Sequence, residues 1–219
     1  MLDNPFPLLI AATGLMIVPF IVVSLTAFVK IAVVLFLVRS ALGVQQTPPN
    51  LVLYGVTIVL TGYVMSPVMA ASYAAIMDGG GGPGALGDPA AWPGMVQRGM
   101  DPVRAFLTRL TTPTDRAFFL QAAQEMHAGG SVIPAETDLF ILAPAFVTAE
   151  LTRAFEIGVL LYLPFIVIDL VITNILTAMG MMMVSPMVIS LPFKLLLFVA
   201  VDGWSRLTHG LVMSYVGGG

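Results

Sequence analysis

A chain of 219 residues that is 58% hydrophobic and charged at only 10% of its positions, with a mean hydropathy of +0.97, belongs to the integral membrane class, because soluble domains carry about 25% charged residues. Its formal net charge of -3 gives no electrostatic case for nucleic acid. The absence of cysteine excludes disulfides, thiol chemistry and thiolate metal sites.

The opening Met1-Leu2-Asp3-Asn4-Pro5 has no basic region and no small-residue cleavage site, so the first apolar segment is expected to stay in the protein. That segment, residues 8–38, contains Pro19 and Lys30. As a straight helix it would run about 46 Å, against a hydrocarbon core of about 30 Å. Pro19, which lacks a backbone donor, is expected to kink or divide it. Arg39 closes the segment and Gly43 is a suitable C-terminal stop. The connector Val44-Gln45-Gln46-Thr47-Pro48-Pro49-Asn50 is polar and held extended by its prolines, with Asn50 as the expected N-cap of the next helix. That helix, residues 51–77, carries no charge and is the best ordinary span. Gly55, Gly62 and Ser66 lie near one of its faces, which is either a close helix contact or generic membrane glycine usage.

Residues 78–87 are glycine-rich and read as a linker. No Lys-Ser/Thr follows the glycines, so they are not a phosphate loop. Residues 92–135 are polar with ordinary helix signals. Asp101-Pro102 reads as an N-cap and first turn. Val103, Phe106, Leu107 and Leu110 form an apolar stripe. A second helix is expected from Thr112-Pro113 to Gly129-Gly130. Beyond it, Glu150, Arg153 and Glu156 can pair along one helix face, and beside an apolar helix they invite partners in a neighbouring chain.

Two apolar arms then flank Gly180-Met181-Met182-Met183-Val184-Ser185-Pro186. The arms hold Asp169, Lys194 and Asp202 at positions where a charge in lipid costs roughly 3 kcal/mol or more. Together with Lys30 and Glu150 these groups fit structural bridges between helices or subunits; Lys30, Asp169 and Lys194 also fit the relay of an ion-coupled transporter. Ser190 is the expected cap, and Pro192 the first turn, of one last helix over residues 191–216, striped by Trp204, Leu207, Leu211 and Tyr215. Hydropathy alone counts four spans, the first too long and the last poor. The expected fold is all-α: hydrophobic hairpins at 1–77 and 136–219 around a small helical polar insert at 78–135. The methionine triplet either fills a bundle core or lines a pore, since thioethers are apolar and deformable.

No serine, histidine or carboxylate falls into a nucleophile arrangement. His127 and His209 lie far apart without metal spacing. Neither enzyme activity nor a cofactor is expected. The alternative to a protein-conducting channel is an ion-coupled secondary transporter or small channel, which the absence of inverted-repeat symmetry disfavours.

Three runs carry a resemblance: Ala41-Leu42-Gly43-Val44-Gln45-Gln46-Thr47-Pro48-Pro49-Asn50, Leu161-Tyr162-Leu163-Pro164-Phe165-Ile166-Val167-Ile168-Asp169-Leu170, and Ile189-Ser190-Leu191-Pro192-Phe193-Lys194-Leu195-Leu196-Leu197-Phe198-Val199 with Val201-Asp202-Gly203-Trp204. They resemble the type III secretion export-gate family (FliP in flagella, SctR in injectisomes) over both hydrophobic halves. The resemblance implies a homo-oligomer of about five copies. These copies would wind into a helical cone with the smaller FliQ/SctS and FliR/SctT subunits and contact the FlhB/SctU switch protein and the base of the rod or needle. It implies a conduit for unfolded secreted proteins in the bacterial inner membrane, partly lifted into the periplasm. It also implies a pore-narrowing gasket at Met181, Met182 and Met183, and subunit contacts at Glu150, Asp169 and Lys194. Gln45, Gln46, Pro48, Pro49 and Asn50 belong to the family motif. Flagellar members often carry a signal peptide and added N-terminal sequence, which tilts the expectation to an injectisome. Arg39 would place the first connector in the cytoplasm and the polar insert in the periplasm, with the methionines near the inner side.

Overall fold

The computed structural model describes residues 13, 16, 19–44, 46–79, 88, 90–126, 135–181 and 183–217, which are helical with short connections and contain no strand. Seven helices are considered: α1 Phe28–Leu42, α2 Asn50–Asp78, α3 Trp92–Leu110, α4 Pro113–Met126, α5 Leu139–Ala178, α6 Pro186–Ala200 and α7 Gly203–Val216. By contacts the chain forms two compact units, Met1–Val29 with Met65–Ala149 and Lys30–Val64 with Glu150–Gly219. Helices α1, α2 and α5 contribute residues to both. The fold is all-α, as expected. Among the described residues, α2 and α5 are long and apolar enough to cross a membrane, and α6 with α7 is a third candidate if the bent pair counts as one.

In the first unit residues 19–24 are helical from Pro19 onward, and a break follows at residues 25–27. Thr26 accounts for this break. Its Oγ1 donates to the Val22 carbonyl at 2.7 Å and accepts from the Phe28 N–H at 3.4 Å, offering the backbone a local alternative to the helical ladder. Helix α3 begins at Trp92 rather than at Asp101, with Pro93 in its first turn and Pro102 inside it. Phe106, Leu107 and Leu110 are buried as the stripe predicts. Phe106 packs on Phe146 of α5 with ring centroids 5.8 Å apart. At the start of α4, Thr112 Oγ1 accepts from the Asp115 N–H at 3.1 Å and donates to the Asp115 carboxylate at 2.6 Å, a reciprocal cap. The expected end of α4 at Gly129-Gly130 lies outside the described residues. Arg116 donates to the carbonyls of Thr108 and Thr111, each at 3.1 Å, neutralising the C-terminal end of α3.

The second unit is built on α1, whose Ile31, Val34, Leu35, Val38, Ala41 and Leu42 are buried. Helix α1 ends at Gly43, which has φ +77° and returns its N–H to the Ser40 carbonyl at 3.1 Å, the left-handed stop glycine permits. Asn50 is the first residue of α2 rather than its cap. Its side-chain oxygen accepts from Arg39, which also donates to the Pro48 carbonyl at 3.3 Å. Gly158 of α5 presses on Leu37, leaving no room for a Cβ. Gly55 and Gly62 of α2 face open space.

The last arm departs from expectation. Instead of one helix over 191–216, α6 starts at Pro186 and runs through Pro192, and α7 follows after a bend of 60°. Asp202 sits at the bend in the left-handed region, φ 54° and ψ 49°, a conformation aspartate tolerates better than most residues. Phe198 folds against Gly203 and meets Trp204 edge-on at 5.3 Å. Ser190 is therefore not a cap but a buried residue inside α6.

Candidate functional site

Two polar clusters lie in the second unit, each anchored by a carboxylate on α5. The first centres on Glu150, which is fully buried. Lys30 of α1 approaches its two oxygens at 3.4 and 3.3 Å. Arg153, one turn along α5, donates to Oε1 at 3.0 Å. The Tyr215 hydroxyl of α7 donates to Oε2. The Lys30 ammonium also stands 3.6 Å above the centroid of the Tyr215 ring, so its charge meets a carboxylate and an aromatic face together. Lys30 retains only 1% exposure. Each charge is taken out of water only because its partners occupy its hydrogen-bonding sites.

The second cluster centres on Asp169. Lys194 of α6 donates to Oδ2 at 2.6 Å and Ser190, one turn earlier, donates to Oδ1 at 2.6 Å. Lys194 also donates to the Ala41 carbonyl at 3.3 Å. That carbonyl belongs to the last turn of α1, where helical acceptors lack partners and the dipole favours a cation. Lys194 thus joins three helices: it stays on α6, pairs with α5 and caps α1.

At the hairpin between α5 and α6 the chain turns at Gly180, φ +72°. The Gly180 N–H reaches the Thr177 carbonyl at 3.0 Å and the Met181 N–H reaches the Leu176 carbonyl at 2.9 Å. This pair of bonds is a Schellman stop, and it projects the following methionines. Met183 is fully exposed and Met181 is 41% exposed; Met182 lies outside the described residues.

The sequence-predicted charges are thus paired across helices of one chain: Lys30 with Glu150, and Asp169 with Lys194. The partners of Glu150 described above all belong to the same chain. Glu156 is exposed and in no ion pair found among the described residues. Asp202 is exposed at the α6–α7 bend. In the motif connector, Pro48 and Asn50 bind Arg39; Gln46 is exposed and Pro49 accepts from the Val52 N–H at 3.0 Å. Gln45 lies outside the described residues. Sequence reasoning missed Tyr215 and Ser190 as polar partners. Tyr215 was legible only as the end of an apolar stripe; Ser190 had a signal, standing one helical turn before Lys194.

Among the described residues no three His, Cys, Asp or Glu side chains converge as a metal site. The fold defines a helical membrane protein in which ion pairs link apolar helices, Lys30 on α1 to Glu150 on α5 and Lys194 on α6 to Asp169 on α5. The chain belongs to the FliP family, whose sequence model matches residues 11–211. It is 51% identical over 217 residues to the Yop proteins translocation protein R of Yersinia pestis, covering 99% of each chain. It is 44% identical over 213 residues to the hypersensitivity response secretion protein HrcR of Ralstonia nicotianae, covering 95% of this chain and 96% of that one. It is 45% identical over 205 residues to the flagellar biosynthetic protein FliP of Cereibacter sphaeroides, covering 94% of this chain and 65% of that one. These relatives are named for translocation, secretion and flagellar biosynthesis, and none is named for an enzymatic reaction.

Proposed function

We propose that this protein is a core subunit of a type III secretion export gate, an oligomeric conduit for unfolded proteins across the bacterial inner membrane. The observation that carries the reading is the methionine tip: Met181 and Met183 are presented to the outside on a Schellman-terminated turn in a chain that belongs to the FliP family. Exposed thioethers are costly on an isolated surface and useful in a ring. Apolar, unbranched side chains can close against ions and still yield to any passing sequence. In this reading Met181, Met182 and Met183 are the gasket. About five copies assemble with FliQ/SctS-type and FliR/SctT-type subunits, an FlhB/SctU-type switch protein and the rod or needle base. Residues 78–135 form a periplasmic insert. Of the two settings, this reading favours an injectisome over a flagellum.

The Lys30–Glu150 pair, at 1% and 0% side-chain exposure, argues against an ion-coupled transporter, whose acid and base must reach water. The direct test is conductance of the reconstituted assembly. Replacing Met181, Met182 and Met183 together by alanine is expected to raise ion leak at unchanged complex mass. Unchanged conductance in an intact complex removes the gasket assignment.

A further inference from the structure

The second unit contains a cavity of 590 Å³ that neither polar cluster uses. Its walls are apolar side chains from four helices, among them Val38 of α1, Phe165 of α5, Phe198 of α6 and Leu211 of α7. The α6–α7 bend lies in its lining through Val201 and Gly203. Cavities of this size hold small organic ligands, and one with such walls favours an apolar occupant over water. Two polar residues also line it, Arg206 and Ser214. Ser214 is satisfied by its own helix, donating to the Leu211 carbonyl at 2.7 Å. Arg206 is different. It is exposed, and the ion pairs found among the described residues do not include it. Asp202, one turn earlier, forms no ion pair with it.

An apolar slot with one free guanidinium on its wall, in a membrane protein, matches an amphiphile with an anionic head. We infer that this cavity is a binding site for an anionic phospholipid, with an acyl chain between α1, α5, α6 and α7 and the phosphate on Arg206. A guanidinium offers a phosphate two parallel donors. Arginine near a bilayer surface attracts anionic lipids in preference to zwitterionic ones. The inference rests on the membrane class of the chain and is independent of the export-gate reading.

The test is native mass spectrometry of the full-length protein extracted in mild detergent and supplied with phosphatidylglycerol or phosphatidylcholine bearing the same oleoyl chains. The wild-type protein is expected to retain phosphatidylglycerol about fivefold better. Arg206→Gln, at an exposed position, is expected to fold normally and lose that preference. Gly210→Leu places a side chain on the cavity wall at a position with open space around it and is expected to lose both lipids. Full phosphatidylglycerol preference in Arg206→Gln overturns the proposal, as does wild-type lipid retention in a folded Gly210→Leu. A smaller assembled mass in Gly210→Leu with lipid retention unchanged assigns the cavity to a protein helix and also overturns it. Should Gly210→Leu fail to fold, Arg206→Gln decides alone.

Discussion

Glu150 shows how one side chain organises its surroundings. Three donors from three positions in the sequence converge on it, from Lys30, Arg153 and Tyr215. Removing the carboxylate strands the Lys30 ammonium in an apolar interior. Glu150→Ala is expected to lower stability by about 3–5 kcal/mol. Tyr215→Phe keeps the ring over Lys30 and removes only a hydrogen bond to a charged acceptor, so its cost is expected at about 1.5–3 kcal/mol. Thermal unfolding in detergent checks both. The double variant Lys30→Met with Glu150→Met is expected to be less damaging than Glu150→Ala alone, because no buried charge is left over. The presence of buried charges was legible in the sequence, since lipid penalises them wherever they sit. Their partners were not, because Lys30 and Glu150 lie 120 residues apart and Tyr215 lies 65 beyond Glu150. Tyrosine also reads as apolar in a stripe, and the stripe did bury its ring; only the folded chain reveals the use of its hydroxyl.

At the level of elements, local chemistry decided where helices stop, and periodicity alone did not. Of the stripe Trp204, Leu207, Leu211 and Tyr215, the last three are buried and Trp204 is exposed. The same periodicity suggested an unbroken helix from 191, yet the Asp202-Gly203 pair, a turn signal in its own right, bends the chain by 60°. Pro102 was read as a helix start, and it lies inside α3. Gly43 and Gly180 stop helices at positive φ because each has a backbone partner for the stop. Asp202 allows a separate test of conformation against charge. Asp202→Asn keeps a residue that accepts the left-handed region and is expected to leave stability nearly unchanged. Asp202→Val forces a β-branched side chain there and is expected to cost about 1–2 kcal/mol, read as a lower unfolding temperature. A large loss in Asp202→Asn would mean that the negative charge, not the backbone, matters at the bend.

For the whole molecule, membrane class, helical fold and family were legible from composition and three long motif runs, because those signals are summed over many residues. The division into compact units was not, since helices α1, α2 and α5 run from one unit into the other. Lys194 reaches α5 and the end of α1 at once, so reversing its charge disturbs three helices. Lys194→Glu is expected to abolish recovery of the assembled complex before any transport defect can be scored. Lys194→Glu combined with Asp169→Lys is expected to restore part of it, as the ion pair is rebuilt while the contact with the Ala41 carbonyl is not. Native mass of the extracted complexes checks both. Full assembly in the single variant would show that the pair does not set subunit register.

Helix α5 carries one more consequence. Its 40 residues make a rod of about 60 Å, and laying that rod wholly inside a hydrocarbon slab of about 30 Å demands a lean of about 60° from the normal, beyond the range of about 0–40° that spanning helices adopt. Some of its length must overhang the bilayer, and its flank is apolar, with Leu160, Val167 and Leu170 each more than half exposed. An overhang of that kind is a liability until other chains clad it. If the proposed export-gate subunits clad it, synthesis of this protein without them should yield a short-lived product, cleared by membrane proteases or lost to clumping, and their co-production should lengthen its lifetime in pulse-chase measurements.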